Sequence, residues 1–265
     1  MKIRKALVTG GSSGIGLSIC EHLLSEGVEV YSISRNPSKV SKNKNLTEIA
    51  LDLANSDKIS NFVDNFISQH GLPDLLVNNA GYGAFFDLNQ FPDQEILLQT
   101  SVLFTSPVIL CKGFAPKMEE AGLGIIVNVT SLATLYPLPY MSLYNANKSA
   151  LSAFTQSMQF EYDKFPRWID FRLGDIKTSF NKSAPKQEEK IQNAKMRNAW
   201  IQIEKQLDES PSPEVASRQL FKAISKEKQG VVYGGSFFHA QILPLIYRFI
   251  PNFLIIKLLQ KYYYD

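Results

Sequence analysis

Short apolar runs alternate with amphipathic stretches along most of this chain. Each apolar run is nearly continuous, which is typical of strands buried on both faces of a parallel sheet. The stretches between them carry apolar residues at helical spacing, as expected for helices that connect parallel strands. The pattern therefore predicts a doubly wound α/β fold, with helices on both faces of the sheet and right-handed crossovers. The predicted strands are 5–8, 28–34, 46–52, 74–80, 124–130, 169–173 and 231–233, and the predicted helices are 15–26, 57–70, a long region ending near Ala121, 141–165 and 213–226.

Two segments depart from this alternation. Residues 179–213 are polar and helix-prone, and they stand between a strand and the next regular helix. Such a long excursion predicts a lid over a binding site, with a plain surface insertion as the alternative. Residues 236–265 form an apolar tail with basic flanks. This tail could lie on a membrane surface or pack on its own domain or a partner subunit, and the prolines at 244 and 251 favour packing.

Composition narrows the class of protein. A length of 265 residues with 45% hydrophobic and 20% charged residues suits one large domain spanning 1–265. The net charge of +3, without a basic stripe, argues against a nucleic-acid binder. Cys20 and Cys111 lie in apolar stretches and are predicted to be buried free thiols, and the three histidines show no ligand spacing, so no metal site is expected. The basic start leads into a strand rather than a signal peptide, and no run reaches the roughly 18 apolar residues of a spanning helix, so we expect a cytoplasmic location.

The strongest local signal is the glycine-rich turn after the first predicted strand, TGGSSGIG at 9–16. Glycines allow a tight turn and a close approach to a pyrophosphate, and the following helix supplies free N–H groups. The stretch Gly11 to Gly16 also fits the start of the phosphate loop of nucleotide hydrolases, but Leu17-Ser18 stands where that loop needs a lysine. A dinucleotide site is therefore predicted, with a purely structural turn as the alternative.

The end of the second strand bears on which dinucleotide would bind. A carboxylate at this position pairs with the ribose 2′-hydroxyl of NAD, whereas a cation accommodates the 2′-phosphate of NADP. The strand ends with Ser34-Arg35-Asn36, so no acid is available and Arg35 can fork onto a phosphate, with Lys39 nearby. An ordinary solvated arginine is the alternative. The sequence favours NADP(H) over NAD(H).

Four motifs follow one another along the chain. Thr-Gly-x-x-x-Gly-Ile-Gly at 9–16 precedes Asn78-Asn79-Ala80-Gly81, and Ser131 stands 13 residues before the Tyr144-x-x-x-Lys148 spacing. The last spacing means little alone in a chain with 11 tyrosines. Together the motifs resemble the classical short-chain dehydrogenases/reductases over roughly residues 1–235. The resemblance implies a Rossmann fold of about seven strands, hydride transfer between a nicotinamide and a carbonyl or alcohol, and a homodimer or homotetramer.

The resemblance also implies roles for single residues. Ser131, Tyr144 and Lys148 would be catalytic, and Asn78 would stabilise the central strand. Asp52-Leu53 would hold the adenine ring, and Leu173 stands where the family has a proline. The cofactor-binding residues implied in this way are Gly10, Ser12, Ser13, Gly14, Ile15, Gly16, Arg35, Asp52, Leu53, Asn79, Ala80, Gly81, Tyr144, Lys148, Gly174, Ile176 and Thr178.

One departure from the family concerns the long helix. The family places a catalytic Asn 13 residues before a proline, where it helps to hold a water chain from the lysine to solvent. Counting back from Pro116 gives Leu103 at this position. Either a hydroxyl neighbour such as Thr100, Ser101 or Thr105 substitutes, or the relay is built differently.

Carbonyl reduction needs a proton donor on the oxygen, which explains the Tyr–Lys pair. The pKa of a free tyrosine is near 10, and lowering it to about 7 requires roughly 4 kcal/mol. A lysine charge about 5 Å away contributes roughly 3 kcal/mol at an effective dielectric near 20. Lys148 is therefore expected to lower the pKa of Tyr144, while Ser131 hydrogen-bonds the substrate oxygen.

The substrate side is less well defined. Apolar residues that could form its wall favour a lipophilic ketone or aldehyde. We therefore expect an NADP(H)-dependent oxidoreductase acting on such a carbonyl or on its alcohol. The alternative is a non-catalytic NADP-binding protein that senses redox state or acts as a scaffold, and Leu103 is its only support. The expected wall residues are Phe85, Phe86, Leu135, Tyr136, Leu138 and Tyr140.

Overall fold

The computed structural model describes residues 2–37, 43–180, 184–186, 193–247 and 249–264. Seven strands form one sheet in the order β3-β2-β1-β4-β5-β6-β7, and every neighbouring pair is parallel. The order reverses between β1 and β4, which opens a crevice at the carboxyl ends of these strands. The strands are β1 Lys5–Thr9, β2 Glu29–Ser34, β3 Leu46–Ala50, β4 Leu75–Asn78, β5 Ile125–Ser131, β6 Arg167–Leu173 and β7 Gly230–Gly234.

Helices cover both faces of this sheet. Successive strand residues point to opposite faces, so Ala6 and Val8 pack on one side with Leu220, while Leu7 packs on the other with Phe114. The predicted doubly wound α/β class is confirmed. The helices are α1 Gly14–Ser25, α2 Ile59–His70, α3 Asp93–Thr100, α4 Ser106–Glu120, α5 Ser142–Glu161, α6 Ala194–Asp208, α7 Pro213–Ser225, α8 Leu243–Tyr247 and α9 Asn252–Tyr264.

Two predicted boundaries differ for a physical reason. The strand predicted to reach residue 80 ends at Asn78, because the next two backbone N–H groups donate to the Thr9 hydroxyl at 3.0 Å each instead of continuing the ladder. The helix predicted to reach residue 165 ends at Glu161. The residue before Pro166 is biased away from helical geometry, so the chain leaves the helix early.

The long helical region between β4 and β5 is continuous but not uniform. A π-helical turn, Ser101–Thr105, separates α3 from α4. Among the described residues, Asp93–Glu120 is the one helical stretch that is long and apolar enough to cross a membrane by length and composition. Its residues Leu110, Phe114 and Met118 are buried against the sheet, as in the core helix of a globular domain.

A third apolar cluster lies beyond the sheet, where α6 meets the C-terminal tail. Trp200 and Met196 of α6 pack with Tyr263 of α9, and Phe85 and Met141 complete the cluster. The tail therefore packs on its own domain through one face of α9. Only part of the predicted lid is described, because residues 181–183 and 187–192 lie outside the described ranges, and its role stays a prediction.

Candidate active site

A cavity of about 540 Å³ opens at the carboxyl ends of the central strands. It extends from Arg35 at the end of β2 to Ile203 and Leu207 of α6. Every predicted catalytic or cofactor-binding residue lines this cavity except Gly16. Lys39, the auxiliary cation predicted beside Arg35, falls outside the described residues. The sheet thus brings together side chains that are far apart in sequence, as its parallel topology requires.

The glycine turn at one end of the cavity has the geometry of an anion site. Gly10 and Gly14 have φ of +69° and +53°, backbone angles that residues with a side chain rarely adopt. Ser13 is the N-cap of α1, yet its side chain makes no capping hydrogen bond. Ser12 and Ile15 line the cavity beside it. The first N–H groups of α1 are therefore available to a pyrophosphate, and the residues present fit a dinucleotide.

Gly16 does not line the cavity, which corrects the prediction for this residue. A Cβ at this position would lie 2.2 Å from the Gly10 carbonyl oxygen and 2.5 Å from Asn79 Nδ2. The Asn79 amide donates in turn to the Thr9 carbonyl at 3.0 Å. Gly16 is thus required for close packing between the turn and β4, rather than for contact with a ligand.

The far end of the cavity holds the residues expected around the adenosine. Arg35 is exposed there, and Asp52 accepts a hydrogen bond from Ala54 N at 3.0 Å beside it. Tyr82 was not predicted, although it lines the same region and hydrogen-bonds Glu95. Burial and this carboxylate raise the pKa of Tyr82, so the phenol stays neutral at this edge of the site.

Asn78 lies behind the cavity wall in a buried amide network. Its Nδ2 donates to Asn128 Oδ1 at 2.8 Å, and Asn128 Nδ2 donates to Thr155 Oγ1 at 2.8 Å. The network joins β4, β5 and α5. It fixes α5, the helix that carries Tyr144 and Lys148, against the centre of the sheet.

Ser131, Tyr144 and Lys148 meet in the middle of the cavity. Ser131 ends β5, accepts a hydrogen bond from Ala133 N at 3.0 Å and hydrogen-bonds the Tyr144 phenol. Lys148 lies one turn along α5, with Nζ 5.9 Å from the Tyr144 ring centroid. Its ammonium donates to the Val129 carbonyl at 2.7 Å. The arrangement can hold a carbonyl oxygen between a serine and a tyrosine hydroxyl.

The electrostatics of the pair differ from the sequence expectation. Burial raises the pKa of Tyr144 to about 12, with the Ser131 hydrogen bond lowering it and the charge of Asp175 raising it further. Burial lowers the pKa of Lys148 to about 8, against the opposing pull of Asp170. The expected fall in the pKa of Tyr144 is not found, because desolvation is the largest influence on the phenol in this structure.

Leu103, the position found by counting back from Pro116, lies close to Lys148. A Cβ on Gly81 would lie 2.8 Å from Leu103 Cδ2 and 3.6 Å from Lys148 Nζ, so an apolar side chain fills the space near the lysine. Leu103 is fully buried in the π-helical turn. Asn147, which precedes Lys148 on α5, donates from Nδ2 to Leu143 O at 2.8 Å and to Thr100 Oγ1 at 3.4 Å.

The apolar wall on the substrate side exists, but most of the residues predicted for it are elsewhere. Phe85 is fully buried in the α6–α9 cluster, and Tyr136 donates to Leu243 O at 2.6 Å under the tail. Of the six expected residues only Leu138 lines the cavity within the described chain. Phe85, Phe86, Leu135, Tyr136 and Tyr140 do not. The wall is formed by Leu138, Met141, Phe180, Pro185, Ile203 and Leu207.

Asp175 is a site residue that the sequence reasoning missed. It follows Gly174 in the loop after β6, lines the cavity and is partly buried. Burial raises the pKa of this carboxyl, and the nearby His239 opposes the shift. The sequence did contain a signal for this residue, because Asp175 is the only acid between the predicted cofactor residues Gly174 and Thr178.

Comparisons with known proteins agree with this geometry. The short chain dehydrogenase family model matches residues 4–189. A 3-ketodihydrosphingosine reductase of Bacteroides thetaiotaomicron is 30% identical over 83% of this chain and 81% of its own length. An NADPH-dependent 1-acyldihydroxyacetone phosphate reductase of Saccharomyces cerevisiae is 28% identical over 97% of this chain and 90% of its own length. A short-chain dehydrogenase structure from Streptomyces avermitilis superposes with a TM-score of 0.79 at 24% identity, covering 89% of each chain.

The family match covers most of the chain, and the fold and the order of the motifs agree with it. The expectation of an oxidoreductase is therefore confirmed at the level of reaction class. This chain belongs to the short-chain dehydrogenase family and is an enzyme of the dehydrogenase/reductase class.

Proposed function

We propose that this protein is an NADPH-dependent reductase of a lipophilic ketone or aldehyde. The observation that carries the proposal is the convergence of Ser131, Tyr144 and Lys148 in one cavity with an apolar wall. Two hydroxyl donors beside a buried lysine suit the developing charge on a carbonyl oxygen. The apolar wall suits a hydrocarbon substituent on that carbonyl.

The cofactor half of the proposal rests on the turn and on Arg35. The backbone from Gly10 to Ser13 would bind the pyrophosphate, and Arg35 would pair with a ribose 2′-phosphate. Lys148 would donate to the nicotinamide ribose hydroxyls. NADPH, when bound, supplies the hydride. The yeast relative named above is NADPH-dependent, which is consistent with the choice of cofactor.

In the reaction, Tyr144 donates its proton to the substrate oxygen while Ser131 holds that oxygen by a hydrogen bond. The neutral phenol is the form that this cavity favours, because burial raises the pKa of Tyr144 to about 12. The tyrosine therefore begins the reduction in its protonated form. Lys148 retains positive charge near neutral pH and stabilises the tyrosinate that forms.

The substrate class follows from the wall and from the relatives. Both curated relatives are named as reductases, one of 3-ketodihydrosphingosine and one of 1-acyldihydroxyacetone phosphate. Each of these compounds carries a ketone and a hydrocarbon chain. A long-chain ketone would place its chain along Leu138, Ile203 and Leu207.

The test is NADPH oxidation by the purified protein with a panel of long-chain ketones and aldehydes. We expect turnover by the wild type and a fall in kcat of at least about 100-fold in Tyr144→Phe, the size of a lost general acid. Tyr140→Phe is the matched control, since Tyr140 does not line the cavity, and it should keep the wild-type rate. NADPH binding without turnover of any carbonyl would favour the non-catalytic, redox-sensing alternative that Leu103 suggests.

A further inference from the structure

The first inference concerns the carboxylate of Asp175, which the reaction described above does not use. Asp175 lines the same cavity as Tyr144, and its charge acts directly on the phenol of Tyr144. The other titratable groups that face it are His239, Tyr262 and Tyr263. Because both residues line one cavity, the carboxylate borders the space in which a substrate would lie.

In the part of the chain that the structure describes, Asp175 forms no ion pair with a lysine or arginine, and the nearby His239 is the basic group whose charge acts on it. The ion pairs found there join Lys117 to Asp64, Arg172 to Asp170 and Lys177 to Asp208. Lys177, although only two residues away in sequence, also donates to the Asp208 carbonyl at 3.0 Å and is directed outward. A partly buried carboxylate whose basic neighbour is only an imidazole remains costly, and a cationic ligand would relieve that cost.

We propose that Asp175 binds an ammonium group on the carbon next to the substrate carbonyl, so that the substrate is a long-chain α-amino ketone. This inference rests on the proposed function and narrows its substrate class. An ammonium between Asp175 and the carbonyl would form a charge-assisted hydrogen bond in a partly desolvated site. A phosphate close to the carbonyl would instead meet the negative charge of Asp175, which disfavours phosphorylated ketones.

The experiment compares three probes that differ only near the carbonyl: 2-aminooctadecan-3-one, its N-acetyl derivative and octadecan-3-one. We expect the wild type to prefer the free amine by about 10- to 100-fold in kcat/KM, the range of a hydrogen bond to a charged group. In Asp175→Asn this ratio should fall to near one. Asp208→Asn removes an exposed acid outside the cavity and should retain the wild-type ratio.

The outcomes separate the two proposals. Equal use of all three probes by the wild type, or an equal loss on all three in Asp175→Asn, would show that Asp175 merely supports the tail through His239 and would overturn the inference. Neither result would harm the proposed function. Failure to reduce any of the ketones while NADPH binds would overturn the proposed function itself. The wild-type ratio needs no variant, so a folding defect in Asp175→Asn leaves the test intact.

A second inference rests on a different observation, the outer surface of the C-terminal tail. Phe237, Phe249 and Phe253 are 75%, 85% and 63% exposed, respectively. This density of large exposed apolar side chains is unusual for a surface that meets only water. The others on the tail are Phe238, Ile242, Leu245, Ile246, Leu254, Ile256 and Leu258.

The charge of the tail is equally one-sided. From Ser236 to Tyr264 the sequence contains no aspartate or glutamate. Lys257 and Lys261 are exposed, and they lie four residues apart on α9, so they share one face. An apolar surface with cations and no acids is complementary to an anionic lipid bilayer.

The inner face of the tail connects this surface to the active site. Ile255, Leu259 and Tyr263 recur at four-residue spacing along α9, and Leu259 and Tyr263 pack in the cluster with Trp200 of α6. The same helix α6 contributes Ile203 and Leu207 to the cavity wall. The exposed apolar surface is therefore one helix away from the substrate side.

We infer that residues 237–247 and 249–262 bind an anionic membrane surface in the interface plane. The helices of this segment are short, with α9 beginning directly after Pro251, so the segment lies on the bilayer rather than crossing it. Bound in this way, the enzyme would meet an amphiphilic substrate where such molecules reside.

The test is co-sedimentation of the full chain with phosphatidylcholine vesicles, with and without phosphatidylglycerol. We expect the wild type to bind the anionic vesicles. The double variant Phe249→Ser/Phe253→Ser should bind them at least about tenfold more weakly. The double variant Lys257→Glu/Lys261→Glu should lose the preference for anionic over neutral vesicles. Phe160→Ser is the matched control, because Phe160 is 90% exposed on α5. Absence of vesicle binding, or a tail variant that instead converts a dimer to a monomer, would overturn this inference in favour of a second copy of the chain.

Discussion

The phenol of Tyr144 illustrates how much a residue's chemistry depends on its surroundings. The four-residue spacing to Lys148 was visible in the sequence, and α5 does place both side chains in the cavity. The direction of the pKa shift was not predictable, because it depends on how completely the fold removes water from Tyr144. Asp175 and Val129 also act on the pair, and neither is near it in sequence.

Lys148 illustrates the cost of this arrangement for stability. Its pKa is lowered from 10.5 to about 8 by burial, so the unfolded chain binds more protons than the folded chain between these pH values. The free energy of unfolding should therefore rise with pH from about 8 upward, and the full cost of the buried charge is present below pH 8. We expect Lys148→Met to abolish activity and to raise the free energy of unfolding at pH 7 by about 1–3 kcal/mol.

Urea unfolding at pH 7 and at pH 9.5 measures this effect. The gain of Lys148→Met over the wild type should be smaller at pH 9.5, where the native lysine is largely neutral. Exposed Lys257→Met serves as the control and should leave the stability unchanged at both pH values. A variant that is less stable than the wild type at pH 7 would contradict this explanation.

Arg35 carries the choice between the two dinucleotides. Its exposed guanidinium borders the cavity, and the strand end around it offers no acid. We expect Arg35→Gln to lower kcat/KM for NADPH by about 10- to 100-fold, because a bidentate hydrogen bond to phosphate is lost. The value for NADH, which lacks this phosphate, should change little.

Steady-state kinetics with both cofactors measure this preference. Arg218→Gln, an exposed arginine on α7, should leave both values as in the wild type. Equal use of NADH and NADPH by the wild type would show that Arg35 is an ordinary surface charge.

At the scale of elements, the turn between β1 and α1 is packed so closely that Gly16 leaves no room for a side chain. A Cβ at Gly16 would approach the Gly10 carbonyl to 2.2 Å, so a larger residue must move the turn. We expect Gly16→Ala to lower the free energy of unfolding by about 1–3 kcal/mol and to weaken NADPH binding at least about tenfold. Denaturant unfolding and a cofactor titration give the two values.

Gly27→Ala is the control for Gly16→Ala, because it introduces backbone strain without a steric clash. Gly27 has φ of +75°, but a Cβ added there would meet no atom within 4 Å, so alanine costs only conformational strain of about 1 kcal/mol. Its affinity for NADPH should remain that of the wild type. If Gly16→Ala also binds NADPH normally, then the turn adapts without disturbing the phosphate site.

The strands and helices were largely predictable from the sequence, whereas the residues of the substrate wall were not. The apolar runs identified the central strands, because strands buried on both faces must be apolar throughout, whereas the edge strands β3 and β7 are only partly buried. The substrate wall was mostly wrong, because an aromatic residue such as Phe85 serves equally well in a buried cluster. Only the packing of α6 on α9 decides between these two roles.

For the whole molecule, strand order determines which residues meet. The reversal between β1 and β4 brings the glycine turn, the end of β5 and the start of α5 to one edge of the sheet. Motif order along the chain was therefore enough to place all of the predicted cofactor and catalytic residues except Gly16 in the lining of the cavity. The contacts of Asp175 with the tail lay beyond such reasoning, since they join segments without a shared motif. Oligomerisation and a cytoplasmic location stay predictions from the sequence.

The central claim is that this cavity transfers a hydride from NADPH to a long-chain ketone. The most direct measurement uses NADPH with both hydrogens at nicotinamide C4 replaced by deuterium, and mass spectrometry of the alcohol product. We predict that the wild type gives an alcohol carrying one deuterium and that Tyr144→Phe gives almost none. Saturable NADPH binding with no deuterated alcohol from any long-chain ketone would contradict the account.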